Sequence, residues 1–423
     1  MNFPLVSSPG AIVAMVLVAL IVPQVFLTAW FVFAIRSRTV EFVSRSSVRC
    51  ESSRIPVEVV LCLRGCDETL ENVFDALGMQ NHENWRLRVI VDSVNDPAWA
   101  VANAAISKLT QSGRATWKDA ILEPLAERPK TGSLKCASLR QALLTLDPPT
   151  QVIAMIDADT VVVRQWLLSL VDECMRPGVG AVSGNRWYEP VHDSLSGTVR
   201  TIWNAGAIVQ MTAFEIPWGG SLAVRRQAVE ACGWTEVIRT TLCEDTSLAA
   251  PLKKSGWKYH FLPSLVAIDQ DDAVTIVPLT RWIARQLLTA RLHHPRWPLV
   301  AIHGLSTSIA LGASLAMCMG ALVTKDWPMC VTVGCAVALY EVVSISLVVM
   351  IEEVLRTAVA AGGKKLRPRS AGRLLWRAAM LPVTQGVYAV AVVLAMTSRA
   401  IEWRGILYEV KKSAGSFMVK TKE

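Results

Sequence analysis

Tyrosine and histidine are rare in this chain, five and six in 423 residues, and charged residues make up only 18%. The six histidines are too dispersed to build a metal site, His293-His294 included; an interfacial or structural role suits them better. The ten cysteines contain no Cys-x-x-Cys pair and no matching histidine spacing, which excludes a structural zinc site. Scattered cysteines fit reduced thiols in a cytoplasmic domain. The net charge is +8, yet no nucleic-acid recognition module accompanies it. The basic residues crowd beside hydrophobic runs instead, as in Lys364, Lys365, Arg367, Arg369, Arg373 and Arg377. Membrane topology and anionic lipid account for that pattern, so no nucleic-acid partner is expected. No Lys or Arg precedes the first apolar run, Ala11–Ile35, and the run itself holds no charge. It is too long for a signal-peptide core and long enough to cross a bilayer, so it reads as an uncleaved anchor.

What is abundant is apolar: hydrophobic residues reach 52%, with a mean hydropathy of +0.37. Arg36, Arg38, Arg45 and Arg49 follow the anchor, which by the positive-inside rule puts the N-terminus outside and the next domain in the cytoplasm. Pro298–Val323 and Met329–Ile351 read as a membrane hairpin. Ala378–Thr397 is a last apolar stretch interrupted by Pro382 and Gly386. If it crosses fully, the basic tail (Arg399, Arg404, Lys411, Lys412) lands outside, against that rule; a re-entrant or kinked helix removes the conflict. The expected organisation is a membrane anchor (1–36), a catalytic domain (37–272), an interfacial amphipathic helix (273–297), a membrane region (298–397) and a basic tail (398–423).

Between the anchor and the hairpin, short Val/Ile-rich runs alternate with helical patterns. Val57–Leu63, Leu87–Val91 and Val152–Ile156 read as buried strands, and Gly256–Leu262 as the last one. Asp67 is a plausible cap for the helix carrying Leu70, Val73, Phe74 and Leu77, and Asp96-Pro97 starts the next. The alternation predicts an α/β, doubly wound parallel sheet.

In such sheets ligands sit beyond the carboxyl ends of the strands. Asp92 and Asp157-Ala-Asp159 arrive there. The bland reading of Asp92 is a turn-former; its place after a strand favours a nucleotide contact. Two carboxylates one residue apart repel unless a cation joins them, and a hard divalent ion commonly bridges carboxylates to substrate phosphates. Asp-x-Asp on its own is a weak pattern. Gly219-Gly220-Ser221 lets backbone approach a ligand or simply makes a tight turn. Glu244-Asp245 fits a helix N-terminus equally well as an acidic site. After Asp269-Gln-Asp-Asp272, an amphipathic helix bears Arg281, Trp282, Arg285 and Arg291. It suits the membrane interface, and Arg281 is the phosphate-contact candidate.

The order of these motifs resembles the membrane-bound branch of the family 2 glycosyltransferases, with ceramide glucosyltransferase, cellulose synthase and hyaluronan synthase. The resemblance covers roughly 57–296. It implies a GT-A-like domain in which Arg64 borders the uracil site and Asp92 and Lys130 contact the donor. Asp157 and Asp159 would hold Mg²⁺ or Mn²⁺, Gly219, Gly220 and Ser221 would form the acceptor gate, and Asp245, beside Glu244, would be the base. Arg281-Trp282 matches the end of a Gln-x-x-Arg-Trp motif, with Pro278 in place of Gln. Lys135 stands where the family's Lys-Ala-Gly-type segment has Asn, and the Trp-Arg-Gly of the tail resembles tails of the ceramide glucosyltransferase type. The expected function is an inverting transfer from a nucleotide-sugar donor, a UDP-sugar, to a membrane lipid acceptor at the cytoplasmic face. Too few membrane spans exist to enclose a polymer channel, which makes a short-chain polysaccharide synthase the second reading. A non-catalytic nucleotide-binding membrane scaffold is the third, disfavoured because all the carboxylates are present.

Overall fold

The computed structural model describes residues 9–45, 51–271, 275–413 and 416–422; Arg49 and Asp272 lie outside them. The catalytic domain is built on strands β1 (Val57–Leu63), β2 (Trp85–Val91), β3 (Asp119–Pro124), β4 (Val152–Ile156), β5 (Val179–Ser183), β6 (Arg186–Tyr188), β7 (Ser221–Arg225), β8 (Lys258–Phe261) and β9 (Ala267–Asp269). Seven of them form one sheet in the order β3-β2-β1-β4-β7-β5-β8, and β6 pairs with β9. The α/β class and the strand-then-carboxylate arrangement, beside long apolar helices, are those the sequence predicts.

Two features differ from the expectation. The sheet is mixed, because β7 runs antiparallel to both β4 and β5. The edge strand β3 was missing from the reading: it is half-buried, so its composition lacks the continuous apolar run that marks its neighbours. Central β4 is buried along its whole length. The helix Leu70–Gly78 buries Leu70, Val73, Phe74 and Leu77 completely, as its spacing demands. Its cap position is Thr69, without a side-chain bond, whereas Asp67 pairs with Arg404 of the tail. Asp96 caps the next helix by accepting from the Ala98 amide.

Among the described residues four helical segments are long and apolar enough to cross a membrane: 9–44, broken at Leu20, Trp297–Thr324, Trp327–Ala361 and Ala371–Thr397. The last is one continuous helix through Pro382; its start bonds to the α/β domain and its end to the helix Ile276–His293. Near its start Arg373 pairs with Asp193 at 3.1 Å and the Trp376 indole donates to Thr198. At its end the Ala395 and Ser398 carbonyls accept from Arg291.

Beyond it the tail forms an antiparallel sheet of β10 (Ala400–Trp403), β11 (Ile406–Ser413) and β12 (Ser416–Lys422). This sheet docks on the catalytic domain through the Gly132 amide, which donates to Val419, and the Thr421 hydroxyl, which donates to Gly132. Ile406 and Tyr408 alternate inward with Leu407 outward after the Gly405 turn, a strand signal masked by the basic charge of the tail, and the docking partners lie some 290 residues away.

Candidate active site

Strand ends deliver the carboxylates to one chamber. Arg64, Asp92, Lys135, Asp157, Asp159 and Asp245 all line a cavity of about 240 Å³, together with Arg186, Trp218, Trp282, Arg285, Trp403 and Arg404. Asp92 is buried at the end of β2 and paired with Arg64 and with Arg128, the latter at 2.7 Å. Its Oδ1 is buried without a hydrogen-bond partner among the described residues. An orphaned buried acceptor is costly in an empty fold and useful to a ligand that brings a donor.

At the end of β4 the two aspartates are already held by cations. Lys135 Nζ lies 2.6 Å from Asp157 and 2.6 Å from Glu244. Arg186 grips Asp159 through both oxygens, at 2.6 and 3.0 Å, and reaches Asp269 at 3.3 Å. Its guanidinium also lies over the Trp218 ring. Burial works against the Asp159 charge, but the Arg186 fork holds its carboxyl below the usual range. Burial likewise opposes the Lys135 ammonium, and Asp157 with Glu244 outweighs it, leaving that amine well above its ordinary value. Glu244 is fully buried, and burial pushes its carboxyl up against the pull of Lys135.

Asp245 is the acidic residue best placed for chemistry. It opens a helix, Glu244–Lys254, and lines the charged chamber on one side. Its Oδ2 accepts from the Gly219 amide at 2.7 Å; its Oδ1 accepts from the Thr246 hydroxyl at 2.9 Å and the Cys243 thiol at 3.0 Å. Burial first, and then the Asp245 and Glu244 charges, pushes the Cys243 thiol well up, so it stays a neutral donor. Behind the loop, burial lowers His293 to about 4, and its neutral Nε2 accepts from the Leu242 amide at 3.2 Å.

On its other side Asp245 borders a second cavity of about 230 Å³. That one is lined by apolar side chains from the membrane-length helices and the helices beside them, such as Leu27, Val209, Leu287, Val300, Leu347 and Leu381. Trp218, Gln286 and Thr289 line both cavities. A charged chamber and an apolar one therefore meet at a single carboxylate.

The glycine pair behind Asp245 is dictated by space. A Cβ on Gly219 would collide with the Glu244 carboxylate, and one on Gly220 with the Trp218 indole. Ser221 points inward, its hydroxyl accepting from the Trp166 indole at 2.8 Å, so it lines neither cavity.

Two further sequence candidates lie outside the charged chamber. The Lys130 and Arg281 side chains are exposed and absent from its lining. For Arg281 the reason is helical phase: Trp282, Arg285, Gln286 and Thr289 share the inward stripe of their helix, and Arg281 falls beside it. Trp282 is inside, edge-on to Tyr188 and Trp203. From sequence, Arg285 is named only among the arginines of the amphipathic helix and Trp403-Arg404 only as part of the tail motif, neither placed in the site, and Arg186 is not reached. Lys135 was visible one turn beyond Lys130 only as a departure from a motif.

The residues fit a hard divalent cation in one way only. Among the described residues no three acidic, histidine or cysteine side chains converge to cage a metal. Asp159 is 44% exposed at the chamber rim, with hard oxygen donors and Asp157 next to it. A cation there would be completed by a ligand's phosphates, with Arg186 giving up an oxygen.

A family model for glycosyl transferase family 21 matches residues 11–415. This chain belongs to glycosyltransferase family 21. No curated protein matches its sequence. Among solved structures it is similar to a mannosyltransferase from Pyrobaculum calidifontis, determined with GDP-mannose and Mn²⁺. Identity is 19%, with 81% of this chain and 98% of that one covered at a TM-score of 0.48. A glucosyl-3-phosphoglycerate synthase from Mycobacterium tuberculosis, determined with phosphoglyceric acid, aligns over 55% of this chain and 78% of its own. There the identity is 15% and the TM-score 0.34. The motif order resembled family 2; the matching model for this family 21 member makes it a glycosyltransferase with membrane-length helices.

Proposed function

We propose that this family 21 member is an inverting transferase that moves a sugar from a nucleotide-sugar, a UDP-sugar, to the hydroxyl of a membrane lipid. The observation that carries the reading is the position of Asp245, at the contact between the charged chamber and the apolar one. The donor's diphosphate suits the cationic chamber, and a hydrocarbon tail suits the dry one. Only at their junction can a lipid hydroxyl meet an anomeric carbon.

Asp245 takes the acceptor proton as the hydroxyl attacks, a form of help worth about 10²–10⁴-fold. The Gly219 amide and the Thr246 hydroxyl fix its carboxylate in place. Among the described residues the other carboxylates of the site are held by cations, Glu244 and Asp157 by Lys135, Asp159 by Arg186 and Asp92 by Arg64, which leaves Asp245 as the base and none as a nucleophile. A single displacement with inversion follows. The leaving diphosphate gathers charge, which Arg285 and Arg64 can offset electrostatically. A divalent cation, Mg²⁺ or Mn²⁺, held by Asp159 and Asp157 would supply further stabilisation of that leaving group.

The apolar chamber favours a lipid over a growing polysaccharide, which would need a hydrophilic passage. The catalytic domain faces the cytoplasm and the N-terminus lies outside, supported by Arg36, Arg38 and Arg45 and by the basic 356–377 segment. A tail on the cytoplasmic side is supported by its docking on the α/β domain at Gly132 and by the Arg291 bonds that tie the end of Ala371–Thr397 to the interfacial helix, and it agrees with the positive-inside rule. The test is to incubate membranes holding the protein with a panel of radiolabelled nucleotide-sugars and extract with organic solvent. A single labelled glycolipid is the expected product; a ladder of chain lengths, or no transfer from any donor, defeats the reading.

A further inference from the structure

The tail hairpin enters the charged chamber tip first. Its two-residue connection, Arg404-Gly405, has φ of 51° and 74°, and Trp403 pairs with Ile406 across it. Two positive φ values make a type I′ turn, whose first position favours Asn or Gly. An arginine there is strained and persists only where its surroundings hold it. They do: Arg404 donates to Asp67 at 2.7 Å and to the Arg64 carbonyl at 3.2 Å, and Arg64 Nε donates back to the Arg404 carbonyl at 2.8 Å. Tyr408 meets the Leu134 amide at 3.4 Å, one residue before Lys135.

Beside the tip, the Arg285 guanidinium lies over the Trp403 ring, 5.2 Å from its centroid. Arg285 lines the same chamber as Asp157 and Asp159, yet no carboxylate pairs with it among the described residues. A largely enclosed cation braced by an aromatic face and lacking an acidic partner is shaped to receive an anion.

We infer that the C-terminal hairpin is part of the donor site, with Trp403 positioning Arg285 against the diphosphate of a nucleoside diphosphate and Arg404 closing the chamber where Arg64 and Asp92 meet. The inference rests on the donor reading above and adds to it that the donor pocket is incomplete without residues from beyond the membrane helices. Arg285 is the phosphate-binding cation of its helix, the role the reading of the basic amphipathic helix gives to Arg281. Trp403 is a positioning residue, acting through Arg285.

The experiment uses the full chain in lipid nanodiscs, with UDP and uridine as probes and calorimetric titration as the readout. Losing a hydrogen bond to a charged group weakens binding by about 10- to 100-fold. Arg285→Gln is expected to lose UDP affinity in that range while uridine affinity moves less than two-fold. Trp403→Leu should reproduce part of the loss and Trp403→Phe restore it. Arg404→Gly keeps the turn and relieves its strain, so the melting temperature should hold or rise while UDP affinity falls. If the unchanged protein binds UDP, and Arg285→Gln and Arg404→Gly bind it equally well, the hairpin is structural only and the inference fails while the donor reading survives. If the unchanged protein binds no UDP and transfers no sugar, the donor reading itself fails and takes the inference with it.

Discussion

Replacing Lys135 with Met should expose how the centre of the site is held together. In the native protein its ammonium sits between Asp157 and Glu244, and Glu244 has no access to solvent. Removing one partner of a buried ion pair leaves an uncompensated charge, typically costing about 3–5 kcal/mol. Glu244 has an escape, because it can take up a proton. The cost of doing so at pH 7, starting from the ordinary value of 4.5, caps the penalty at about 3.4 kcal/mol. The sign of the pH dependence follows. In the variant the folded chain keeps that proton and the unfolded chain releases it above pH 4.5, so the variant loses stability as pH rises. Its deficit relative to the native protein should stay below about 3.4 kcal/mol at pH 7 and shrink to below about 1.4 kcal/mol at pH 5.5. In melting temperature that ceiling at pH 7 corresponds to roughly 7–14 °C for a domain of this size. Tryptophan-fluorescence melts at both pH values, always compared with the native protein, read it directly. Adding Glu244→Gln should recover most of the loss. A Lys135→Met protein that melts with the native one, at both pH values, would show that Glu244 needs no counter-charge and refute the reasoning.

Asp245→Asn should lower transfer by at least about 10²-fold while UDP affinity stays within a few-fold, checked by product extraction and titration; near-native turnover would remove the base assignment. Arg281→Ala should change UDP affinity and turnover by less than two-fold, since that side chain is exposed outside the chamber. Gly219→Ala should abolish transfer, because its Cβ has only the Glu244 and Asp245 carboxylates to enter; retained activity would mean the loop can shift freely. Burial lowers both His82 and His293 to about 4, so below about pH 6.5 the unfolded chain binds protons that the folded one refuses. The native protein should therefore lose stability steadily from pH 6.5 to pH 4, measured as a falling melting temperature.

What could be read from the sequence was local. Apolar runs ending in carboxylates mark β2 and β4, and those carboxylates land in one chamber because parallel strands deliver their ends to one edge. The order of strands in the sheet is not local, so the antiparallel insertion of β7 had no signature in its own five residues. Arg281 and Arg285 are alike as letters. Only packing of the helix against the Ala371–Thr397 helix and the domain decides which one turns inward. Arg186 opens the short strand β6, whose pairing with β9 brings Asp269 alongside, a contact 83 residues apart. Trp403 and Arg404 lay furthest from prediction, because their neighbours Arg64 and Asp67 precede them by more than 330 residues.

The dry cavity beside Asp245 has a practical outcome at the bench. Long single-chain detergents used to purify such a protein present the same kind of tail that this cavity is shaped to hold. They should therefore compete with the proposed lipid acceptor, and activity should return when they are exchanged for a bilayer.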